Sequence, residues 1–305
     1  MNATGSGIPG WLAEALAARP EYVTVALQHY RLHAVDIDQP ALIIPLAGTK
    51  ILTEGQLSTE LGSGRYLMIH RALRCTVQNI PDQGVYRAWC IPFPWRVIDL
   101  ARSLLAAHAP LPAPGPNHSC GELAPLHAEL RQLLAALCGG TGSSAMDHAL
   151  LGVLLALHRG GDDQFRLAQD LSVAARIRLI VGGAPGRDWC SADMEERLHM
   201  SGATLRRRLA EEDTSLRAVL RDARLHHALA LLQTTRRPLR AIALECGYRS
   251  LPSFMRQFEA RFAVAPAAVS GASPDRMASA SPDVPASIPA SIPASVPASL
   301  SVSRR

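Results

Sequence analysis

The sequence predicts an α+β protein, with a small antiparallel β-domain ahead of two stretches of helix. Three observations carry that prediction. Between residues 22 and 94, short runs of β-branched and apolar residues are broken by turn formers. Beyond Pro94, apolar residues recur at helical spacing instead. Beyond residue 270 the texture changes again, with VPAS and IPAS units repeating from Val284 to Ser299 at a period of four. The repeat lacks large apolar side chains to form a face, so residues 271–305 are expected to be a disordered tail.

A chain of 305 residues with 48% hydrophobic side chains is long enough for two domains, each with its own core. The formal charge is +5, and Lys50 is the only lysine. Arginine bias of this kind is weak evidence for phosphate binding by itself. Six cysteines (Cys75, Cys90, Cys120, Cys138, Cys190 and Cys246) show no C-x-x-C pair and no neighbouring histidine, so free buried thiols are expected and no metal is assigned to them. The opening MNATGSGIPGWLAEALAARP lacks a basic n-region, and the longest apolar run, Ala149 to Leu157, is about half the ~20 residues a bilayer requires. A soluble cytoplasmic protein without a membrane partner is expected.

After an N-terminal segment, residues 1–21, the β-domain is read over 22–94 from YVTVAL, ALIIPLAG, GRYLMIH, CTVQNI and VYRAWCI. Pro45, Pro81, Pro92 and Pro94 are expected at strand ends or edges, because proline donates nothing to a ladder. Residues 95–160 read as helices over Trp95 to Ala107, Glu122 to Cys138 and Ser144 to His158, a packing or dimerisation segment. PLPAPGPNHS is a loop between the first two. A linker is expected over 161–172.

From 173 to 270 the chain reads as dense helix. Ser172 caps a helix with Val173, Ile177, Ile180 and Val181 on one face, and GGAPGRDW ends it. A short helix follows over Ala192 to Leu198, then a turn at His199 and Met200. Ser201 caps the next helix, in which Leu205 and Leu209 define the buried side. Three consecutive arginines cannot all face one way at ~100° per residue. Arg207 points away from the core, Arg206 lies to one side, and Arg208 lies near the core margin, within reach of Glu212. Two helices joined by a tight turn, the second with outward arginines, are the geometry of a helix-turn-helix, here over about 191–212.

A long helix from the Thr214/Ser215 cap to about Gln233 leads to a second such unit, about 239–262. Pro238 opens it, Gly247 closes its first helix, and Ser250 caps a second with Phe254, Phe258 and Phe262 as the core stripe.

The run RRPLRAIALECGYRSLPSFMRQFEARFAVAPAAVS places Ile242, Ala243, Gly247, Tyr248, Phe254, Arg256, Phe258, Phe262 and Pro266 in the pattern of one family. Residues 173–270 resemble the DNA-binding domain of the AraC/XylS transcription regulators, and LRRRLAEEDTS looks like the branch containing acid-resistance and virulence regulators. Departures are Glu195 in place of a small residue, His199 and Ala263 in place of glycine, and Glu259 and Ala260 in place of basic residues. The resemblance implies two recognition helices reading successive major-groove segments of promoter DNA. Ala203, Arg206 and Arg207 in the first, and Leu251, Ser253 and Arg256 in the second, would read bases. Ser201, Thr204, Arg208, Ser250 and Gln257 complete the expected DNA-binding set. Arginine pairs bidentately with guanine, which suits that role. RNA polymerase, a second copy of the chain, and a small-molecule or protein effector at the N-terminal domain are the further expected partners, with activation the expected output.

The N-terminal PALIIPLAGTKILTEGQLSTELGSGRYLMIHRA is similar to the cupin-like sensor barrels of such regulators. His29, His33 and His70 raise the alternative of a metal-dependent cupin-type enzyme. The H-x-H pattern with a nearby Glu is absent, so neither metal, cofactor nor catalytic residue is assigned.

Overall fold

The computed structural model describes residues 7–139 and 142–270; the repeat expected over 271–305 lies outside the described residues. No element is expected before Tyr22, yet Gly10–Ala17 forms a helix, α1, that buries Leu12 and Leu16. The strands follow as β1 (Val23–Ala26), β2 (Tyr30–Ile37), β3 (Ala41–Ala47), β4 (Thr49–Glu54), β5 (Leu57–Leu61), β6 (Arg65–Ile69), β7 (Leu73–Ile80) and β8 (Tyr86–Pro92). Helix α2 (Trp95–Ala106) precedes a ninth strand, β9 (His118–Glu122), and then α3 (His127–Cys138) and α4 (Ser143–Arg159).

Two antiparallel sheets result, in the orders β1-β8-β3-β6-β9 and β2-β7-β4-β5. The five-stranded sheet is covered on both faces, which is why its strands read as nearly continuous apolar runs. Leu42, Ile44, Met68, Trp89 and Ile91 face the helices α1 to α4. Ile43, Leu67, Ile69, Tyr86 and Ala88 face the second sheet.

Four sequence expectations need correction. Helix α3 starts at His127 because His118–Glu122 pairs with β6 instead, so the expected PLPAPGPNHS loop ends in strand. Gly121 allows that pairing, since a Cβ there would lie 2.4 Å from the Tyr66 ring. Pro45 sits in an interior strand, but β6 pairs only as far as Ile43 and the β8 register shifts just after Pro45, so no ladder donor is lost there. Cys138 and Cys190 are exposed; Cys75 and Cys246 are buried, and burial pushes both thiols up to about 12. Residues 161–172 are packed: Phe165 is fully buried, Arg166 donates to the Ala109 and Pro110 carbonyls, and the Gln169 amide pairs with both backbone groups of Ala72.

The remaining helices are α5 (Val173–Gly182), α6 (Ser191–Leu198), α7 (Gly202–Glu211), α8 (Leu216–Thr234), α9 (Leu239–Glu245), α10 (Leu251–Phe262) and α11 (Pro266–Val269). Ser172, Ser201, Ser215 and Ser250 each accept a hydrogen bond from the N–H three residues on, the caps expected from sequence. Helices α5, α6, α7 and the first half of α8 enclose their own core around Ile177, Met194, Leu205 and Leu209. The second half of α8 with α9 to α11 shares a core with the inner faces of the sheets.

Charge completes that junction. Strand β2 has a bulge between Leu32 and Val35, with Ala34 at φ +51°. Arg261 of α10 donates to the Ala34 carbonyl (2.6 Å) and to Asp36 (2.7 Å), and also pairs with Asp222 of α8. Arg178 of α5 grips Asp38 through two hydrogen bonds of 2.7 Å. Burial would raise the Asp36 carboxyl, but the hydrogen bond from Arg74 and the charge of Arg178 hold it below the ordinary value. Burial wins at Asp38 and raises it.

His226 is buried edge-on to Phe262, among Asp36, Asp222 and Arg261. Its Nε2 accepts the Asp36 N–H (3.0 Å) and its Nδ1 donates to the Asp222 carbonyl (2.9 Å), so the ring is neutral. Burial lowers its pKa below the ordinary 6.5, and that of His227 likewise. The unfolded chain then binds protons that the folded one refuses. Stability is present above about pH 6.5 and lost as pH falls through the lowered folded values. The melting temperature should fall on acidifying from about pH 7.5 to 5.5, and H226Q should melt lower at pH 7.5 with a flatter profile; an identical slope in both proteins would contradict this assignment.

The turn between α6 and α7 stores backbone strain. His199 closes α6 in the left-handed region, at φ +53°, where glycine is favoured, and its side chain is exposed. H199G is expected to stabilise the protein by about 0.5–1 kcal/mol in chemical denaturation; a loss would show that the side chain has a packing role.

Candidate nucleic-acid interface

Helix α7 is held by Leu205 and Leu209, both 1% exposed, which fixes what its other faces present. Ala203, Arg206, Arg207 and Arg208 are all exposed. The Ser201 hydroxyl accepts the Thr204 N–H at 3.3 Å, and the two hydroxyls lie 3.0 Å apart, so both serve the helix cap. Arg207 pairs with Glu211 at 3.3 Å, with both side chains more than half exposed. A surface i,i+4 pair of this kind contributes only a few tenths of a kcal/mol. Exchanging it for a nucleic-acid contact costs little.

Of the two roles open to Arg208, holding phosphate or pairing with Glu212, the second does not form. Both carboxylate oxygens of Glu212 instead accept the N–H groups of Val173 and Ala174, at 2.6 and 2.9 Å. Those are unsatisfied donors at the start of α5, with the favourable end of its dipole, so the carboxylate is held there and Arg208 stays exposed. Glu195, the departure within α6, is accommodated by the absence of a side chain at Gly202. Its side chain accepts the Ser191 hydroxyl at 2.7 Å and occupies the space beside Gly202, where a Cβ would meet it at 2.7 Å.

In the second unit Phe254, Phe258 and Phe262 are fully buried and stack in succession, leaving Arg256 exposed. Ser250 caps α10 through the Ser253 N–H at 3.4 Å. Ser253 and Gln257 are half-buried and joined by a 3.0 Å hydrogen bond from the Gln257 amide. Leu251, expected to read a base, packs partly against the shared core, because its position begins the turn of α10 that faces Tyr248 and α9.

Between the two units lies an open cleft of about 820 Å³. Arg217, Arg221 and Arg224 of α8 and Arg249 of the α9–α10 turn line it. Sequence reasoning passed over these four. The signal was present, since 217, 221 and 224 fall at i, i+4 and i+7 on one helical face, flanked by Leu216 and Leu220, which line the same cleft. Arg224 donates to the Pro185 and Arg187 carbonyls, at 3.1 and 3.0 Å.

The histidines do not converge. His29 and His33 are on the surface, whereas His70 is fully buried, with Nε2 2.8 Å from the Ser119 hydroxyl and 3.1 Å from Asp162. Asp36, Asp222 and His226 form the cluster among the described residues that comes closest to a metal site, but Arg261 and Arg74 already occupy its carboxylates. Inside the β-domain, Lys50 is 6% exposed and donates to Asn79 at 3.0 Å, without a carboxylate partner among the described residues. Asn79 donates to the Tyr30 hydroxyl (2.7 Å), which also accepts from Gln233 of α8 (2.8 Å). No helix among the described residues is long and apolar enough to cross a membrane.

Residues 194–271 match the family model of a helix-turn-helix domain. The HTH-type transcriptional regulator YdeO of Escherichia coli K12 is 34% identical over 100 residues, covering 33% of this chain and 39% of that protein. The transcriptional regulator SirC of Salmonella typhimurium is 29% identical over 107 residues, covering 35% of this chain and 36% of its own length. The chain thus spans less than two fifths of either curated relative. Structural likeness reaches further. Crystal structures of ToxT from Vibrio cholerae superpose in the apo form (TM-score 0.54, 16% identity, 80% of this chain and 94% of that one) and with an unsaturated fatty acid bound (0.52, 15%, 80% and 92%). Residues 194–271 are thus similar to a helix-turn-helix domain, and the chain joins them to a β-domain in a fold that resembles that of ToxT.

Proposed function

We propose that the protein is a sequence-specific DNA-binding transcription regulator that acts on promoters together with RNA polymerase. The observation that carries this reading is the pair of serine-capped helices, α7 and α10, each anchored by a buried apolar stripe and each presenting exposed arginine. Arg207, with Arg206 beside it, and Arg256 read bases; Ala203 allows close approach of α7 to the groove, and Arg208 holds phosphate. From Arg187 to Arg261 the domain carries 14 arginines against 10 carboxylates, so its affinity depends on where the charge is placed. The reading as a metal-dependent enzyme has no support in the separated positions of His29, His33 and His70. R207A and R256A should each lose about 1–3 kcal/mol of discrimination between a mapped promoter site and scrambled duplex, with the circular dichroism spectrum unchanged. Unchanged footprints in both variants would refute the assignment.

Lys50 favours a second component of this reading, an acidic effector within the β-domain. A buried ammonium held by one neutral amide has donors to spare for a carboxylate, and Asn79, Tyr30 and Gln233 link it to α8. The bound state of ToxT with an unsaturated fatty acid agrees with such an effector. Oleate should raise the melting temperature of the wild type and leave K50Q unmoved; equal shifts would remove Lys50 from the site.

A further inference from the structure

We propose that the cleft between the two helix-turn-helix units holds the phosphate backbone of duplex DNA through Arg217, Arg221 and Arg249, over the stretch between the two base-reading helices. The inference rests on the DNA-binding reading above and assigns it a second, sequence-independent contact.

Charge is the first argument. None of the four arginines lining the cleft pairs with a carboxylate among the described residues, and Asp188 is the lone acid on its walls. Elsewhere in the same domain Arg178, Arg187, Arg237 and Arg261 are all paired with Asp or Glu. Arg217, Arg221 and Arg249 are exposed. Arg224 is committed to two carbonyls, which spend its donors without neutralising its charge, so it forms the wall and the other three remain available.

Backbone dipoles are the second. The first turns of three helices open onto the cleft: α6 at Ser191, α8 at Leu216 and Arg217, and α10 at Ser250 and Ser253. Helix N-termini carry partial positive charge and unsatisfied N–H groups, and both suit phosphate oxygens.

Shape selects a polymer over a small anion. The cleft is far larger than one phosphate, and its arginines are spread along α8 where a small-anion site would gather them. Arg217 and Arg221 are four residues apart, about 6 Å along the helix, a span of roughly two phosphates at about 3.4 Å per strand charge. The cleft is bounded by the starts of α6 and α10, and α8 extends about 28 Å, close to one duplex turn of ~34 Å. A duplex engaged by α7 and α10 therefore runs its backbone across this cleft between the two major-groove segments.

The test uses the full chain. Binding of wild type, of R217Q/R221Q/R249Q, and of the β-domain surface control R31Q/R87Q is measured by fluorescence anisotropy, on a duplex carrying the mapped site and on a scrambled duplex, from about 50 to 300 mM salt. The triple variant should bind both duplexes more weakly by a similar factor, at least about tenfold near 150 mM salt. Its plot of log affinity against log salt should be shallower by about 2–3. The control should match wild type, and melting curves should show the triple variant folded, since the three side chains are exposed. An unchanged salt slope in a folded triple variant, or a loss confined to the specific duplex, would overturn the proposal. Wild type that fails to discriminate between the duplexes would instead refute base reading, and the slope comparison would still decide the cleft.

Discussion

Two carboxylates at the end of one strand, Asp36 of β2 and Asp38 just beyond it, set where the helical domain sits. Arg178 reaches them from α5, which packs on the first helix-turn-helix unit, and Arg261 from the second unit, with Arg74 and Asp222 completing the cluster. Partly buried ion pairs are poor sources of net stability, but each member is costly to orphan: removing one partner of a buried pair typically costs about 3–5 kcal/mol. Their effect here is geometric. Groups that must be satisfied together hold two helix-turn-helix units at one fixed place on one sheet.

The two units are bound to that sheet unequally. The second unit continues the core of the β-domain, so that Phe254, Phe258 and Phe262 belong to the same apolar cluster as Leu32, Leu52 and Tyr86. The first unit has a core of its own and meets β2 through the Arg178 pairings. Helix α8 belongs to both, with Val219 and Ala223 in one core and Leu225 and Leu229 in the other. An event inside the β-domain therefore reaches the second unit through packing, and the first through charge and α8.

Much of this was legible in the sequence because it is local. The serine caps, the leucine and phenylalanine stripes and the outward arginines depend on residues three or four apart, and periodicity reports them. The features that were missed are products of chain distance or of competition. Strand β9 is short and polar, and exists because β6 offers it an edge; its sequence, HSCGE, has no period to read. Glu212 sits in range of Arg208 on the helical wheel, yet the start of α5, 39 residues earlier in the chain, takes it first. Leu251 looks outward by count and inward once α9 is packed beside it. Asp36 and Asp38 could not be told from surface acids, because their partners lie 140 and 225 residues away.

The bulge in β2 carries a consequence for all of these contacts. Side chains of a strand alternate between faces, and the extra residue between Leu32 and Val35 changes the parity of everything after it. Tyr30 and Leu32 point into the β-domain on even numbers, whereas Val35 and Ile37 do so on odd ones. Asp36 and Asp38 are thereby carried to the outer face. An unbulged strand would aim the Asp36 carboxylate into an apolar interior and present Val35 and Ile37 to the arginines. One residue of chain length thus decides whether the protein has an acidic dock or a flawed barrel, and Arg261, by binding the Ala34 carbonyl, holds the odd count in place.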